Sequence, residues 1–441
     1  MRMSRVRLLS PALEVAVALG ATTRVVVLLF AMASIEKARH ALPPHRRVPG
    51  HSSPHPSSGG QVSSGSRSSS TEVSRPGVPG LDWHPGGEFT VGGEDELLLV
   101  DHRGQMLGPA AAPLTATLSN RGTRGTLKGE IFVDELELET PVCSDAEEVH
   151  QSLQHLRRSL ITEGVRPMAV GLHPSAGFGS ADIATSRRYD RISDEFAGLL
   201  RAPTAAFQVH VGVPDPTTAL TVYRGLRNRL SVFRALAAGS PYWHARDSGL
   251  ACVRPAILRS YPRTTMPPAL PSWEEYVEAI ELAVWAHEVP DYSYVCWELR
   301  PQPRLGTIEV RVMDAQSSLA RAAGLTALVQ GLARHAVESA DPQDLPDEVV
   351  LANDLRACRY GLEASVVDAD RSRRPMRAVA ARALDDARKQ LAPDGLDGPL
   401  DAVEAILVEP PEYVRQRALY EREGMPAVLA SLAARTADVD G

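Results

Sequence analysis

Alternating apolar and polar positions begin near residue 89. The stretch FTVGGEDELLLVD, residues 89–101, alternates and then turns apolar, which predicts a strand. EIFVDELEL, residues 130–138, alternates again and stops at Thr140-Pro141. Between residues 145 and 164, Val149, Leu153, Leu156 and Leu160 recur at helical spacing. RPMAVGLHP (166–174) and FQVHVGVPD (207–215) read as short buried strands, the second ending in a Pro-Asp turn. Residues 218–238 and 273–288 predict helices, and YVCWELRPQP (294–303) and GTIEVRVMDA (306–315) two further strands. From Ser318 to Ala434 the pattern is helical, interrupted near residues 341–348 and 391–399. This order predicts an α+β fold: an antiparallel or mixed sheet with helices on one face and a helical C-terminal region.

The first 85 residues depart from that pattern. The run VVVLLFAMAS (25–34) is too short for a spanning helix, and Arg24 and Glu14 break any upstream extension. A start codon placed too far upstream also yields such a segment. Residues 51–80 are rich in Ser, Pro and Gly and carry too little apolar surface to order themselves. Residues 1–85 are therefore expected to be a disordered or mis-assigned extension, and 86–441 the catalytic domain.

Composition narrows the function classes. With 441 residues, 44% hydrophobic and 23% charged, the chain can bury a large core. A formal net charge of -7 gives no general attraction for nucleic acid or an anionic membrane, so an anionic substrate needs local cations. The four cysteines, Cys143, Cys252, Cys296 and Cys358, form no C-x-x-C pair, which favours reduced thiols in a cytoplasmic protein. No G-x-x-x-x-G-K-[ST] loop occurs, which excludes a P-loop ATP site.

The candidate chemistry sits on the strands. Glu94 and Glu96 are two apart, so both carboxylates share a face and Asp95 takes the other. Such a pair either holds a hard cation such as Mg²⁺ or forms a solvated acidic edge. Glu135, Glu137 and Glu139 make a second acidic row. Gln208 and His210 are a polar pair in an apolar strand, either structurally satisfied or facing a phosphate or metal. Glu309 and Arg311 repeat the spacing with opposite signs: a structural pair, or a metal carboxylate beside a guanidinium suited to a phosphoryl group. Arg300 and Arg304 could add positive charge at the same strand ends. Arg246, Arg254, Arg259 and Arg263 are either a solvated basic loop or an anion clamp.

The motifs occur in one order: G-x-E-x-E at Gly92–Glu96, KGEIF…LELETPVC, GLHP, RRY at Arg187–Tyr189, VHVGVPD, SPYWHARDSGLA, ELRPQPRLGTIEVRVMDA, NDLRACRYGLEA and a late RQR at 415–417. Together they resemble the carboxylate–amine ligases related to glutamate–cysteine ligase type 2, over residues 89 to the C-terminus. The resemblance implies a glutamine-synthetase-like catalytic sheet, ATP with Mg²⁺, and activation of a carboxylate as an acyl phosphate that an amine captures. Its reference reaction joins glutamate and cysteine into γ-glutamylcysteine. On it Glu94, Glu96, Glu137 and Glu309 fall on the family's acidic positions, His210 on the second histidine of its H-V-H segment and Arg311 on the arginine of its E-V-R segment. The expected assignment is Glu94, Glu96, Glu137 and Glu309 at the metal, Glu94 and Arg311 in catalysis, and Gln208, His210, Arg300 and Arg304 at the nucleotide. The resemblance implies small-molecule partners, neither nucleic acid nor membrane, and allows a homodimer. Other readings on the same scaffold are ligation of a different amine, a guanidino kinase, or a degraded nucleotide-binding homologue. Departures from the family pattern are Gly93, Ala205-Ala206, Gly239, and Gln208 where the family has histidine. Gln208 can hydrogen-bond but does not titrate near neutral pH, and Gly93 is expected to loosen its strand.

Overall fold

The computed structural model describes residues 77–119, 124–196, 202–339 and 344–440. Most of the expected N-terminal extension, residues 1–76, lies outside the described residues. The fold centres on a seven-stranded sheet. Its strands are β1 (Val91–Leu99), β2 (Thr126–Gly129), β3 (Glu135–Glu139), β4 (Pro167–Met168), β5 (Ala206–Gly212), β6 (Leu299–Gln302) and β7 (Thr307–Asp314). The order is β6-β7-β5-β1-β3-β2, with β4 on the end of β1, and every pair is antiparallel.

The sheet has one apolar and one polar face. Phe207, Val209, Val211, Ile308 and Val310 are fully buried against helices. Those helices include α1 (Ala146–Thr162), α2 (Pro216–Arg227), α3 (Leu230–Ala237) and α4 (Leu319–Glu338). Asp145 and Asp215 cap α1 and α2 by accepting two backbone N–H groups each, and Ser318 caps α4. Asp95 is the one charged residue that β1 sends to this side. Its carboxylate accepts from Arg157 Nε at 2.8 Å, and Arg157 also donates to the carbonyls of Gln316 and Ser317. This fully buried ion pair welds α1 to the sheet.

Gly93 also faces the helices. A Cβ there would lie 3.1 Å from Val149 Cγ1 and 3.4 Å from Phe207. Its role is therefore to let α1 approach β1 closely, rather than to loosen the strand.

Several elements differ from the sequence expectation. The strand expected over 130–138 is confined to Glu135–Glu139, because residues 131–134 turn the chain back from β2. The helix expected over 218–238 breaks at Asn228-Arg229 into α2 and α3. RPMAVGLHP contributes only Pro167–Met168 as strand. Within the helical tail a hairpin pairs Ser365–Val367 with Arg373–Pro375. Residues 81–85, expected outside the domain, pack onto it: Leu81 is buried and the Trp83 ring sits edge-on to Trp273 at 5.3 Å. No helix among the described residues is long and apolar enough to cross a membrane.

Candidate active site

The polar face of the sheet gathers the chemistry, and strand register dictates who meets whom. Directly opposed residues of antiparallel strands share a face. Glu309 lies opposite His210, which lies opposite Gly92. Gln208 lies opposite Glu94, which lies opposite Glu139. Glu96 lies opposite Glu137, and Glu137 opposite Lys128. Carboxylates from β1, β3 and β7 thus converge on one surface.

Glu94, His210 and Glu309 place one ligand atom each within 4.8 Å of one another, and so do Glu94, Glu137 and Glu139. Glu94 belongs to both groups. His210 Nε2 is 3.1 Å from Glu94 Oε1, and its Nδ1 is 2.9 Å from Thr307 Oγ1. Burial alone would raise the Glu94 carboxyl, but the charge and hydrogen bond of His210 outweigh it and leave it below the usual range. Burial alone would likewise lower His210, and Glu94 reverses that, so the imidazolium is favoured.

Glu309 is almost wholly buried. Its Oε2 accepts from Arg300 Nε at 2.6 Å and Gln302 Nε2 at 2.5 Å, and Arg311 pairs with its Oε1. Burial opposes its charge, yet the two guanidinium groups and His210 hold it far below the usual carboxylate range. The charged forms of Glu309 and Arg311 are therefore locked, and Arg311 stays cationic.

The other end of the wall behaves oppositely. Glu96 accepts from Ala206 N and Gln208 Nε2, both at 2.5 Å. Burial, with Glu130 adding repulsion, pushes it up to about 7 despite Arg254 and Arg311. Burial and neighbouring carboxylates raise Glu135 and Glu137 well above the usual range. Lys128 Nζ lies 2.8 Å from Glu137 and also pairs with Glu139. Buried acceptors remain without partners here, among them Gln208 Oε1 and Glu135 Oε2. Repelling carboxylates and orphaned oxygen atoms fit a hard divalent cation such as Mg²⁺.

Two cavities open on this face, and the paired glutamates face one each. The first, about 410 Å³, is bordered by Gly92, Glu94, Glu139, His210 and Thr307. The second, about 220 Å³, is bordered by Glu96, Glu130, Glu135, Arg188, Tyr189 and Arg311, among others. A bulge in β7, where Arg311 and Val312 together oppose Gln208, turns Arg311 towards the second cavity.

The structure brings together Glu94, Glu96, Glu137, Gln208, His210, Glu309 and Arg311. Two predicted residues fall elsewhere. Arg304 is exposed, stacks over Tyr292 at 5.3 Å and donates to the Pro79 carbonyl, because the tight β6–β7 turn carries it off the sheet face. Arg300 is committed to Glu309 and to the carbonyls of Ser293 and Val295, and borders neither cavity. Of the basic loop, Arg246 is exposed, whereas Arg254 pairs with Asp314, Arg259 with Asp354 and Arg263 with Glu195. Gln302, Thr307 and Glu130 were not singled out from sequence. Glu130 sits in the KGEIF motif, where its position before a turn hides which way it points.

Residues 90–427 match the glutamate–cysteine ligase family 2. The chain belongs to that family. A relative from Rubrobacter xylanophilus, provisionally named glutamate–cysteine ligase 2-3, is 35% identical over 361 residues, covering 79% of this chain and 97% of the relative. One from Thermobifida fusca, provisionally named glutamate–cysteine ligase 2, is 30% identical over 78% of this chain and 90% of its own. Among solved structures, the glutamate–cysteine ligase of Francisella tularensis, crystallised with AMP, superposes with a TM-score of 0.58 at 12% identity, covering 80% of this chain and 89% of that one. A bifunctional glutathione synthetase from Pasteurella multocida gives 0.59 at 14% identity, covering 79% of this chain and 52% of that one. At such identities these structures speak to the fold, which is that of the glutamine-synthetase-like ligases.

Proposed function

We propose that this protein is an ATP-dependent carboxylate–amine ligase that joins glutamate to an amine such as cysteine through an acyl phosphate. The observation that carries the reading is the carboxylate wall between two cavities, with Glu94 bordering one and Glu96 the other. The larger cavity suits ATP, and the smaller a polar amino acid.

In this reading Mg²⁺ would be held by Glu94, His210 and Glu309, and by Glu94, Glu137 and Glu139 with Glu96 adjacent. When bound, it neutralises the ATP oxygens and the acceptor carboxylate and so lets two anions approach. His210 Nε2, which faces Glu94, would be the nitrogen ligand. Arg311, held by Glu309, offers a fixed positive charge to the transferring phosphoryl group. Glu309 is in turn aligned by Arg300 and Gln302, so the two β6 residues act by positioning it. The substrate carboxylate oxygen takes the γ-phosphoryl group and ADP leaves. The amine then attacks the acyl carbon, phosphate departs, and a carboxylate of the second cavity accepts the amine proton.

Product analysis tests this. The full chain is incubated with ATP, Mg²⁺, glutamate and a panel of amines including cysteine. The ligase reading predicts ADP, free phosphate and an amide in equal amounts. ADP with a phosphorylated guanidino compound and no free phosphate would instead indicate a kinase. No Mg²⁺-dependent ATP binding would indicate a non-catalytic homologue.

A further inference from the structure

Four arginines border the smaller cavity, and they are not equivalent. Arg254, Arg263 and Arg311 each have a carboxylate partner: Asp314, Glu195 and Glu309. Arg188 has none among the described residues. Its guanidinium donates to Ser293 Oγ at 3.0 Å and to the Ser293 carbonyl at 3.2 Å. It also lies over the Tyr294 ring at 4.3 Å. These contacts fix the plane of the group yet leave its charge uncompensated. The next residue, Tyr189, donates to Glu130 Oε2 at 3.3 Å and so ties the same helix, Arg187–Phe196, to the acidic wall.

A guanidinium braced by neutral groups and aimed at a cavity is poised for an anion that arrives with the ligand. Arg311, from the sheet, borders the same cavity. Glu96, Glu130 and Glu135 lie along the wall and suit an ammonium group. At about 220 Å³ the space lies below the ~300–1,000 Å³ of drug-sized pockets and matches one small ligand. One guanidinium braced by neutral groups and one held by Glu309, from two different elements and with carboxylates beside them, suit an amino acid bearing two carboxylates.

We infer that Arg188 is a substrate-positioning residue: it binds the non-reacting carboxylate of the acyl substrate and so directs the other carboxylate to Arg311. The inference rests on the ligase reading above and assigns a residue that reading does not use. It also predicts selection against substrates with a single carboxylate.

Steady-state ADP release by the full chain is the test, with L-glutamate or 4-aminobutyrate as acyl probe at saturating ATP and cysteine. 4-Aminobutyrate lacks the α-carboxylate. Arg188→Ala should raise KM for glutamate about 10- to 100-fold, with a much smaller change in kcat and none in KM for ATP. The preference of wild type for glutamate over 4-aminobutyrate should shrink by a similar factor. Arg188→Lys, which keeps the charge and loses the planar fork, should fall between the two. An undiminished glutamate preference in both variants, or a KM change confined to cysteine, overturns the inference and leaves the ligase reading standing. A wild type that releases no ADP with either probe overturns both. Melting curves run alongside register any loss of fold, and the exposed position of Arg188 predicts none.

Discussion

Glu137→Gln should separate the metal wall from ordinary buried electrostatics. Glu137 is only 5% exposed, and its carboxylate oxygen lies within 4.8 Å of oxygens from Glu94 and Glu139. Two ionised carboxylates at that spacing repel by about 3 kcal/mol at an effective dielectric of about 20. Because burial and neighbouring carboxylates favour the neutral form of Glu137, the realised repulsion is smaller, about 1–2 kcal/mol. The opposing loss is the contact with Lys128, itself 43% exposed on its side chain, worth about 0–1 kcal/mol. Without metal the substitution should therefore leave Tm within about 2 °C of wild type, or raise it. An ordinary broken buried ion pair would cost about 3–5 kcal/mol. With Mg²⁺ the sign reverses. Wild type should gain about 2–3 kcal/mol at a hundredfold excess over Kd, and the variant little of it. Thermal melts at pH 7.5 in EDTA and in a Mg²⁺ series give both values. A Tm drop of more than about 5 °C in EDTA, or a Mg²⁺ response equal to wild type, would refute the reasoning.

Three further predictions rest on other parts of the structure. Glu309→Gln should destabilise the metal-free protein by about 3–5 kcal/mol, since Arg300 and Arg311 would lose their common anion, and should stop turnover; an unchanged melt in EDTA would contradict the described pairing. Gly92→Leu should abolish nucleotide binding yet hardly change Tm, because a Cβ there meets nothing closer than 3.7 Å and the side chain would fill the larger cavity; retained ATP affinity would place the nucleotide elsewhere. Burial lowers His173, whose Nε2 lies 2.8 Å from the Gly104 carbonyl, so below about 6.5 the unfolded chain takes a proton that the folded one refuses. Stability from this source is lost as pH falls below that value, and the Tm decline from pH 7.5 to 5.5 should be smaller in His173→Gln; equal declines would remove His173 from the account.

How far the sequence spoke depended on the kind of signal. Period-two spacing correctly put Glu94 and Glu96 on one face and Asp95 on the other, because strand alternation is local geometry. The same spacing could not say that β3 and β7 would lie in register with them, since pairing is a long-range property. The α+β plan with helices on one face was legible because Phe207, Val209 and Val211 alternate with polar partners in β5. Arg300 and Arg304 read alike in ELRPQPR, yet one sits in a strand facing Glu309 and the other in a turn facing outward. Arg246, Arg254, Arg259 and Arg263 read as a solvated loop or an anion clamp because the partners of the last three, Asp314, Asp354 and Glu195, lie far away in sequence. Gly93 shows the same limit: the strand alone makes it a weakness, and only the packed α1 helix reveals the close approach.

The central claim is that a carboxylate is activated by phosphorylation before an amine captures it. The direct measurement uses glutamate carrying ¹⁸O in its γ-carboxylate, with Mg²⁺, ATP and cysteine, followed by mass analysis of the released phosphate. The acyl phosphate passes one carboxylate oxygen to phosphorus, so the account predicts one ¹⁸O in each phosphate formed. Amide formed together with unlabelled phosphate would contradict it.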